Sequence, residues 1–364
     1  MDEQAGWRTD PELLRPVLTD RRLVEAALAA AGPTDRLFLL PLLGRHDQAL
    51  AEARELLPVQ SDPWQLLLLT ADLHRWRDEL DQAERLQTAA WKHARSRERQ
   101  AGTLHRVGER CYQGGDLDQA AACFELALTL RRGFAEAADL AGTEQALAQV
   151  RRRLGYDAIV LAGGRGSRLG GGVDKPGLPL AGWPLVDHVL LAVSGAANRI
   201  VVGPNRRALT GPVFCREQPA GAGPVAAIAA AADLVRRPTV AVLAADLPFI
   251  GPALAPLRRC VTDHGSQVGL LVDTTGRSNY LAAVWRTSAL LQALDALGDP
   301  ADQPVRALYA GRDIEHVPDF DALGADCDTP RDLAEARDRI RRHSPGRLPA
   351  ALLAWPRLDL HSPS

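Results

Sequence analysis

The sequence predicts an all-helical unit over residues 1–153, then a mostly parallel α/β unit over residues 156–342 with helices on both faces of its sheet. Three observations carry this. A chain of 364 residues exceeds what one ordinary core accommodates. The first 153 residues are rich in Leu, Ala, Arg, Glu and Gln and hold no β-branched runs. From Gly155 onward, short β-rich runs alternate with helical stretches, the grammar of a parallel sheet with crossover helices. Residues 343–364 are Pro-rich and read as a tail.

Composition narrows the function classes. The formal net charge is -2, without the basic excess that nucleic-acid binding requires, so no nucleic-acid partner is expected. No apolar run approaches the roughly 18 residues that span a bilayer, and Met1-Asp2-Glu3-Gln4 carries no signal pattern. A cytoplasmic protein without membrane contact is expected. Cys111, Cys123, Cys215, Cys260 and Cys327 are scattered and contain no CxxC pair, which predicts reduced thiols and neither disulfides nor a zinc site. Of 43 basic side chains only Lys92 and Lys175 are lysine, so a lysine inside a motif is unusually informative.

Within the helical unit, Asp47-Gln48-Ala49, Asp81-Gln82-Ala83 and Asp118-Gln119-Ala120 recur at intervals of 34 and 37 residues. The third copy adds Gly108 twelve residues before Ala120, with Phe124 and Ala127 after it and Gly115-Asp116 as a turn. This resembles the tetratricopeptide repeat, whose period is about 34 residues. It implies some three repeats, a capping helix over Ala135 to Leu154, and a protein partner held by the stacked surface. A plain helical bundle is the alternative. No catalytic grouping appears in this half.

In the second half, strands are expected at Tyr156–Ala162, Arg199–Gly203, Val213–Cys215, Thr239–Ala244, Gln267–Val272 and Tyr280–Trp285. Helices are expected at Leu185–Ala196, Pro224–Arg236 and Ala253–His264. The pattern is Rossmann-like, with ligands at the carboxyl ends of the strands.

The first strand runs into Ala162-Gly163-Gly164-Arg165-Gly166-Ser167-Arg168-Leu169-Gly170-Gly171-Gly172-Val173-Asp174-Lys175. Glycines let backbone N–H groups approach a polyphosphate, and Arg168 and Lys175 add positive charge. Lys175 lies between Asp174 and Pro176, which rules out a Walker loop, and Gly164, Gly166 and Gly170 miss the GxGxxG interval by one residue. Downstream, an apolar strand ends in Asp246-Leu247-Pro248-Phe249, placing one carboxylate at the same expected sheet edge. Thr329-Pro330 starts a helix sensibly and leaves Asp326 and Asp328 unexplained.

Leu161-Ala162-Gly163-Gly164, then Arg168-Leu169-Gly170-Gly171, then Asp174-Lys175 resemble the signature of nucleotidyltransferases, above all molybdenum-cofactor guanylyltransferase. Further matches follow in order: Arg199 to Arg206, with Asn205 near its end; Glu217 followed by Gly223-Pro224-Val225-Ala226-Ala227; the Asp246 segment; Asn279 to Arg286 on the acceptor side; and Asp326 to Leu333. Two departures are Glu217 where Asp is common and Ala227 where Gly is common. The resemblance implies Mg²⁺-dependent transfer of GMP from GTP to the phosphate of molybdopterin, or of its molybdenum form, with release of pyrophosphate. The alternatives are another NMP transferase, cytidylyl or acting on a small phosphorylated acceptor, and a non-catalytic nucleotide-sensing adaptor that uses the repeats. Arg168, Lys175 and Asp246 would be catalytic. Leu161, Ala162, Gly163, Gly164, Lys175, Asn205, Glu217 and Gly223 would bind the nucleotide. Asp246 and Asp328 would hold Mg²⁺, with Asp326 a further candidate.

Overall fold

A computed structural model of the protein describes residues 5–132, 137–163, 174–205 and 211–343. They fall into two compact units that divide between Val150 and Arg151.

The first unit opens with a hairpin where helix was expected: β1 (Trp7–Asp10) and β2 (Arg15–Leu18) pair antiparallel with Trp7 opposite Leu18. The cause is local. Pro11 and Pro16 push the residues before them, Asp10 and Arg15, into extended backbone. The Asp10 carboxylate then accepts the N–H groups of Glu12 and Leu13 at 2.8 and 2.9 Å and closes the turn. Trp7 meets Phe38 edge-on, ring centroids 4.9 Å apart, which fixes the hairpin to the helices behind it.

Eight α-helices follow among the described residues: α1 (Arg21–Ala30), α2 (Pro33–Leu42), α3 (His46–Leu56), α4 (Trp64–Trp76), α5 (Leu80–His93), α6 (Arg97–Gln113), α7 (Leu117–Arg131) and α8 (Ala137–Leu154). The recurrent Asp-Gln-Ala explains itself here. Asp47, Asp81 and Asp118 sit in the first turns of α3, α5 and α7, where a carboxylate favours the helix dipole. Ala49, Ala83 and Ala120 are fully buried, small enough for a neighbouring helix to approach. Gly108 of α6 serves the same end: a Cβ there would lie 2.6–2.9 Å from the Phe124 ring of α7. Gly108→Ala should therefore cost about 1–3 kcal/mol by overpacking, read as a lowered thermal midpoint; an unchanged midpoint would mean the helix pair adjusts freely.

The second unit is built on a seven-stranded sheet. Its strands are β3 (Tyr156–Leu161), β6 (Arg199–Val202), β7 (Val213–Cys215), β8 (Thr239–Ala244), β9 (Val268–Asp273), β10 (Ser278–Arg286) and β11 (Ile314–Asp319), in the order β11-β9-β10-β8-β3-β6-β7. All neighbours are parallel except β10, which runs antiparallel to β8 and β9. A small ribbon of β4 (Pro179–Leu180) and β5 (Trp183–Pro184) stands apart.

Alternation along β3 sorts side chains between two cores. Tyr156, Ala158 and Val160 face α9 (Leu185–Ala192) and α11 (Gly251–Thr262), packed with Val189, Leu190, Leu254 and Leu257. Ile159 faces α10 (Pro224–Ala232) and α12 (Thr287–Leu297), packed with Ile228, Ala231, Leu290 and Trp285. Helices thus cover both faces, as expected for a mostly parallel sheet. Asp157 is fully buried yet satisfied: it accepts N–H groups from Asn198, Arg236 and Arg237 at 2.6–3.0 Å, knitting the amino edge of the sheet. A last helix, α13 (Pro330–His343), packs Leu333, Ala336 and Ile340 against Leu180, Phe249 and Cys327. The expected tail lies beyond the described residues.

Candidate active site

The carboxyl ends of β6, β3 and β8 are bound together by backbone: the Ala162 N–H donates to Val202 O at 2.8 Å and the Ala245 N–H to Leu161 O at 3.0 Å. Gly203 allows this closeness, since a Cβ there would lie 2.8 Å from the Ala162 carbonyl at φ +155°. The edge is therefore a rigid ledge on which side chains from distant parts of the chain meet.

Three of them are decisive. Lys175 sits on a 3₁₀ turn (Lys175–Gly177), Asp246 two residues past β8, and Asp328 two residues before α13. The Lys175 ammonium donates to Asp246 Oδ2 and to Asp328 Oδ1, joining residues 71 and 153 positions apart. The Cys327 N–H donates to Asp246 O at 3.2 Å and holds the Asp328 loop at the end of β8. A reciprocal pair of bonds, Thr329 N–H to Asp332 Oδ2 at 2.7 Å and Asp332 N–H to Thr329 Oγ1 at 3.2 Å, starts α13 and sets the loop's direction.

Burial opposes the charge on Lys175, but the Asp246 and Asp328 carboxylates outweigh it and hold the ammonium above its ordinary pKa. Lys175 is therefore cationic at neutral pH. Asp326 lies beside the pair; lost solvation, then the charges of Asp328 and Asp246, raise its carboxyl. Asp246 Oδ1 is buried and accepts no hydrogen bond among the described residues. Two carboxylates bracketing one cation position, a third nearby and an orphaned oxygen form a hard, electron-rich donor set that fits a divalent cation. Burial, then the charge of Asp246, pushes the Cys327 thiol up to about 12, so it stays protonated and is no nucleophile.

Two cavities meet at Asp246. The smaller, about 360 Å³, is lined by Leu161, Gly163, Lys175, Glu217, Gly223 and Asp246, among others. The larger, about 620 Å³, is lined by Asp246, Arg277, Asn279, Asp319, Phe320 and Asp326, among others. Ala244, Asp246 and Leu281 belong to both, so the Asp246 carboxylate stands where the two join.

Comparison with known proteins gives the family. Residues 158–318 match the family model described as the MobA-like NTP transferase domain. The molybdenum cofactor guanylyltransferase of Rhodobacter capsulatus is 32% identical over 198 residues, covering 51% of this chain and 97% of that protein. The chain belongs to the MobA-like nucleotidyltransferases. A probable molybdenum cofactor guanylyltransferase of Natronomonas pharaonis is 29% identical, covering 50% of this chain and 96% of that protein. The crystal structure of 2-C-methyl-D-erythritol 4-phosphate cytidylyltransferase from Thermus thermophilus aligns with a TM-score of 0.39 at 20% identity, covering 50% of this chain and 98% of that one. The MobA-like match leaves the helical unit outside it.

Of the residues expected in the nucleotide site, Leu161, Gly163, Lys175, Glu217 and Gly223 line the smaller cavity. Ala162 is buried in the core and lines neither cavity. Asn205 is exposed and lines neither cavity. Gly164 and Arg168 lie outside the described residues. The Glu217 carboxylate accepts the Gly221 N–H at 2.8 Å, so it shapes its own loop as well as the cavity wall. Asp328 shares the Lys175 cation with Asp246, whereas Asp326 faces the larger cavity. Sequence reasoning missed Arg277, Asp319 and Phe320. Phe320 is 79% exposed at the end of β11, an edge strand whose sequence gives little sign of itself.

No helix among the described residues is long and apolar enough to cross a membrane.

Proposed function

We propose that the protein transfers GMP from GTP to the terminal phosphate of molybdopterin, or of its molybdenum form, releasing pyrophosphate. The observation that carries this is the meeting of a nucleotide-sized and an acceptor-sized cavity at Asp246, beside Lys175 and Asp328. GTP would occupy the smaller cavity. Its base would lie near Gly163 and Glu217, where a carboxylate suits the two adjacent donors, N1–H and the 2-amino group, of guanine. The acceptor would lie in the larger cavity, with the exposed Phe320 ring a stacking face for a flat heterocycle and Arg277 a cation for its phosphate.

The reaction asks for alignment and charge neutralisation, because the acceptor arrives already ionised. An acceptor phosphate oxygen attacks the α-phosphorus; the bond to the bridging oxygen of the β-phosphate breaks, and its electron pair leaves with pyrophosphate. Lys175 supplies a fixed positive charge for the developing pyrophosphate, and Arg168 a second from the glycine-rich loop. Asp246 and Asp328, with Asp326 alongside, would hold Mg²⁺, which screens the phosphate oxygens when bound.

Pyrophosphate release with each of the four ribonucleoside triphosphates tests the reading. Release is expected with GTP, and only when Mg²⁺ and phosphorylated acceptor are both present. Equal release with a dephosphorylated pterin would exclude it.

The helical unit would act separately, as a short tetratricopeptide-like array that holds a protein partner, in chemistry an apo-enzyme awaiting the cofactor. A chain beginning at Gln149 keeps Arg151, whose Nε donates to Ser194 O at 2.9 Å, and Leu154, which packs on the sheet core. It should fold and retain GMP transfer within a factor of about three, since the helices carry no group of the proposed mechanism. A folded but inactive truncation would show that the helices complete the site.

A further inference from the structure

We propose that Cys260, His264 and Glu315 form a second metal site, a clasp for a zinc-class divalent cation that pins edge strand β11 to the end of α11. One ligand atom from each residue lies within 4.8 Å of the other two, a closeness met by no other such trio among the described residues. Cys260 is in the last turns of α11. The helix ends at Thr262, and the His264 N–H donates to Arg259 O, five residues back, at 3.1 Å; this closing turn brings the imidazole back beside the thiol. Glu315 comes from β11, opposite Gly269 of β9. His264 Nδ1 lies 2.8 and 3.0 Å from the two Glu315 oxygens, and Ser266 Oγ donates to Oε2 at 3.3 Å, holding the carboxylate in place from the other side. The Ser266 N–H donates to Cys260 O at 3.0 Å and folds the connecting loop back over the site.

The donor set selects the ion. One sulfur, one imidazole nitrogen and one carboxylate suit zinc, and three protein ligands leave a fourth position for water. Mg²⁺ prefers oxygen alone and would be rejected, which separates this site from the carboxylates of Asp246 and Asp328. Access is open: the His264 and Glu315 side chains are 56% and 36% exposed, while Cys260 is buried beneath them. The position argues for a structural task. Glu315 lies near the start of β11, at the amino edge of the parallel strands, whereas Asp246 follows the carboxyl end of β8. An exposed His–Glu pair alone contributes little, and an ion bridging helix and strand would secure the outermost strand of the sheet. This revises the expectation, drawn from scattered cysteines, that the chain has no zinc site. The third ligand comes from a strand 51 residues beyond His264, too far for any spacing rule.

The test uses the full chain stripped of metal by chelator and titrated with Co²⁺. The expected result is a sulfur-to-cobalt charge-transfer band saturating at one ion per chain and abolished by added Zn²⁺. Co²⁺ at the oxygen ligands of the catalytic edge gives no such band. Cys260→Ser and His264→Gln should each remove the band and weaken Zn²⁺ binding at least tenfold in a chelator competition, and Cys327→Ser should leave both unchanged. His264 is exposed, so its variant folds even if the Cys260 variant does not. Absence of the band in the parent protein, or its survival in Cys260→Ser or His264→Gln, overturns the proposal.

Discussion

Asp246→Ala and Lys175→Ala are each expected to lower turnover by about two to three decades, the usual effect of removing a preorganised charge contact at a developing anion. The two losses should differ in kind. Lys175 bonds both Asp246 and Asp328, so its removal leaves two carboxylates facing each other without that cation. The variant should then need more Mg²⁺-stabilisation to stay folded, visible as a larger metal-induced rise in thermal midpoint than the parent shows. Asp246→Ala removes one of the carboxylates and should raise the metal concentration needed for half-maximal rate; Asp246→Asn, nearly isosteric, separates charge from shape. Steady-state kinetics across a Mg²⁺ series reads both. An Asp246→Ala protein with near-parental, Mg²⁺-dependent turnover would remove the metal from this carboxylate.

Gly163→Ala is expected to weaken GTP use and relax the choice of base toward CTP. Gly163 lines the smaller cavity, and among the described residues a methyl there would touch only Val202 O, at 3.9 Å, an ordinary contact. The fold therefore accepts the substitution, and its effect falls on whatever fills the cavity. A purine needs room for two rings beside this turn if its donors are to reach the Glu217 carboxylate; cytosine leaves space for the methyl. Losing a hydrogen-bonded donor set in a closed site discriminates on the order of 10³-fold. Comparing kcat/KM for GTP and CTP in parent and variant measures it. A parent that prefers CTP would move the protein to the cytidylyl branch without disturbing the account of the fold.

Much of this arrangement is legible in the chain. Buried parallel strands announce themselves as apolar runs, so the strand expected at Thr239–Ala244 agrees to the residue and β3 to within one. Helix ends are harder: α9 stops at Ala192 and not Ala196, because Ser194-Gly195 disfavours a further turn. Strand β11 escapes notice for a physical reason. Ile314-Glu315-His316-Val317-Pro318-Asp319 is an edge strand, half solvated and carrying a proline, and lacks the apolar signal of a central strand. The hairpin at Trp7 to Leu18 is hidden by a helix-like composition that two prolines override. At the site, each of Lys175, Asp246 and Asp328 can be nominated from its own motif. Their joining across the sheet edge cannot, since a contact over 153 positions leaves no local trace. The same holds for the larger cavity, whose walls come from the ends of β9, β10 and β11 and from loops of ordinary sequence.

Label position shows directly which phosphorus is attacked and what attacks it. The full chain would be incubated with Mg²⁺, molybdopterin and GTP labelled either at the α- or at the γ-phosphate. The α-label is expected to become joined to the pterin through a new phosphoanhydride while the γ-label leaves wholly in pyrophosphate. Label from the γ-phosphate on the acceptor, or α-label recovered only as free GMP, would contradict it.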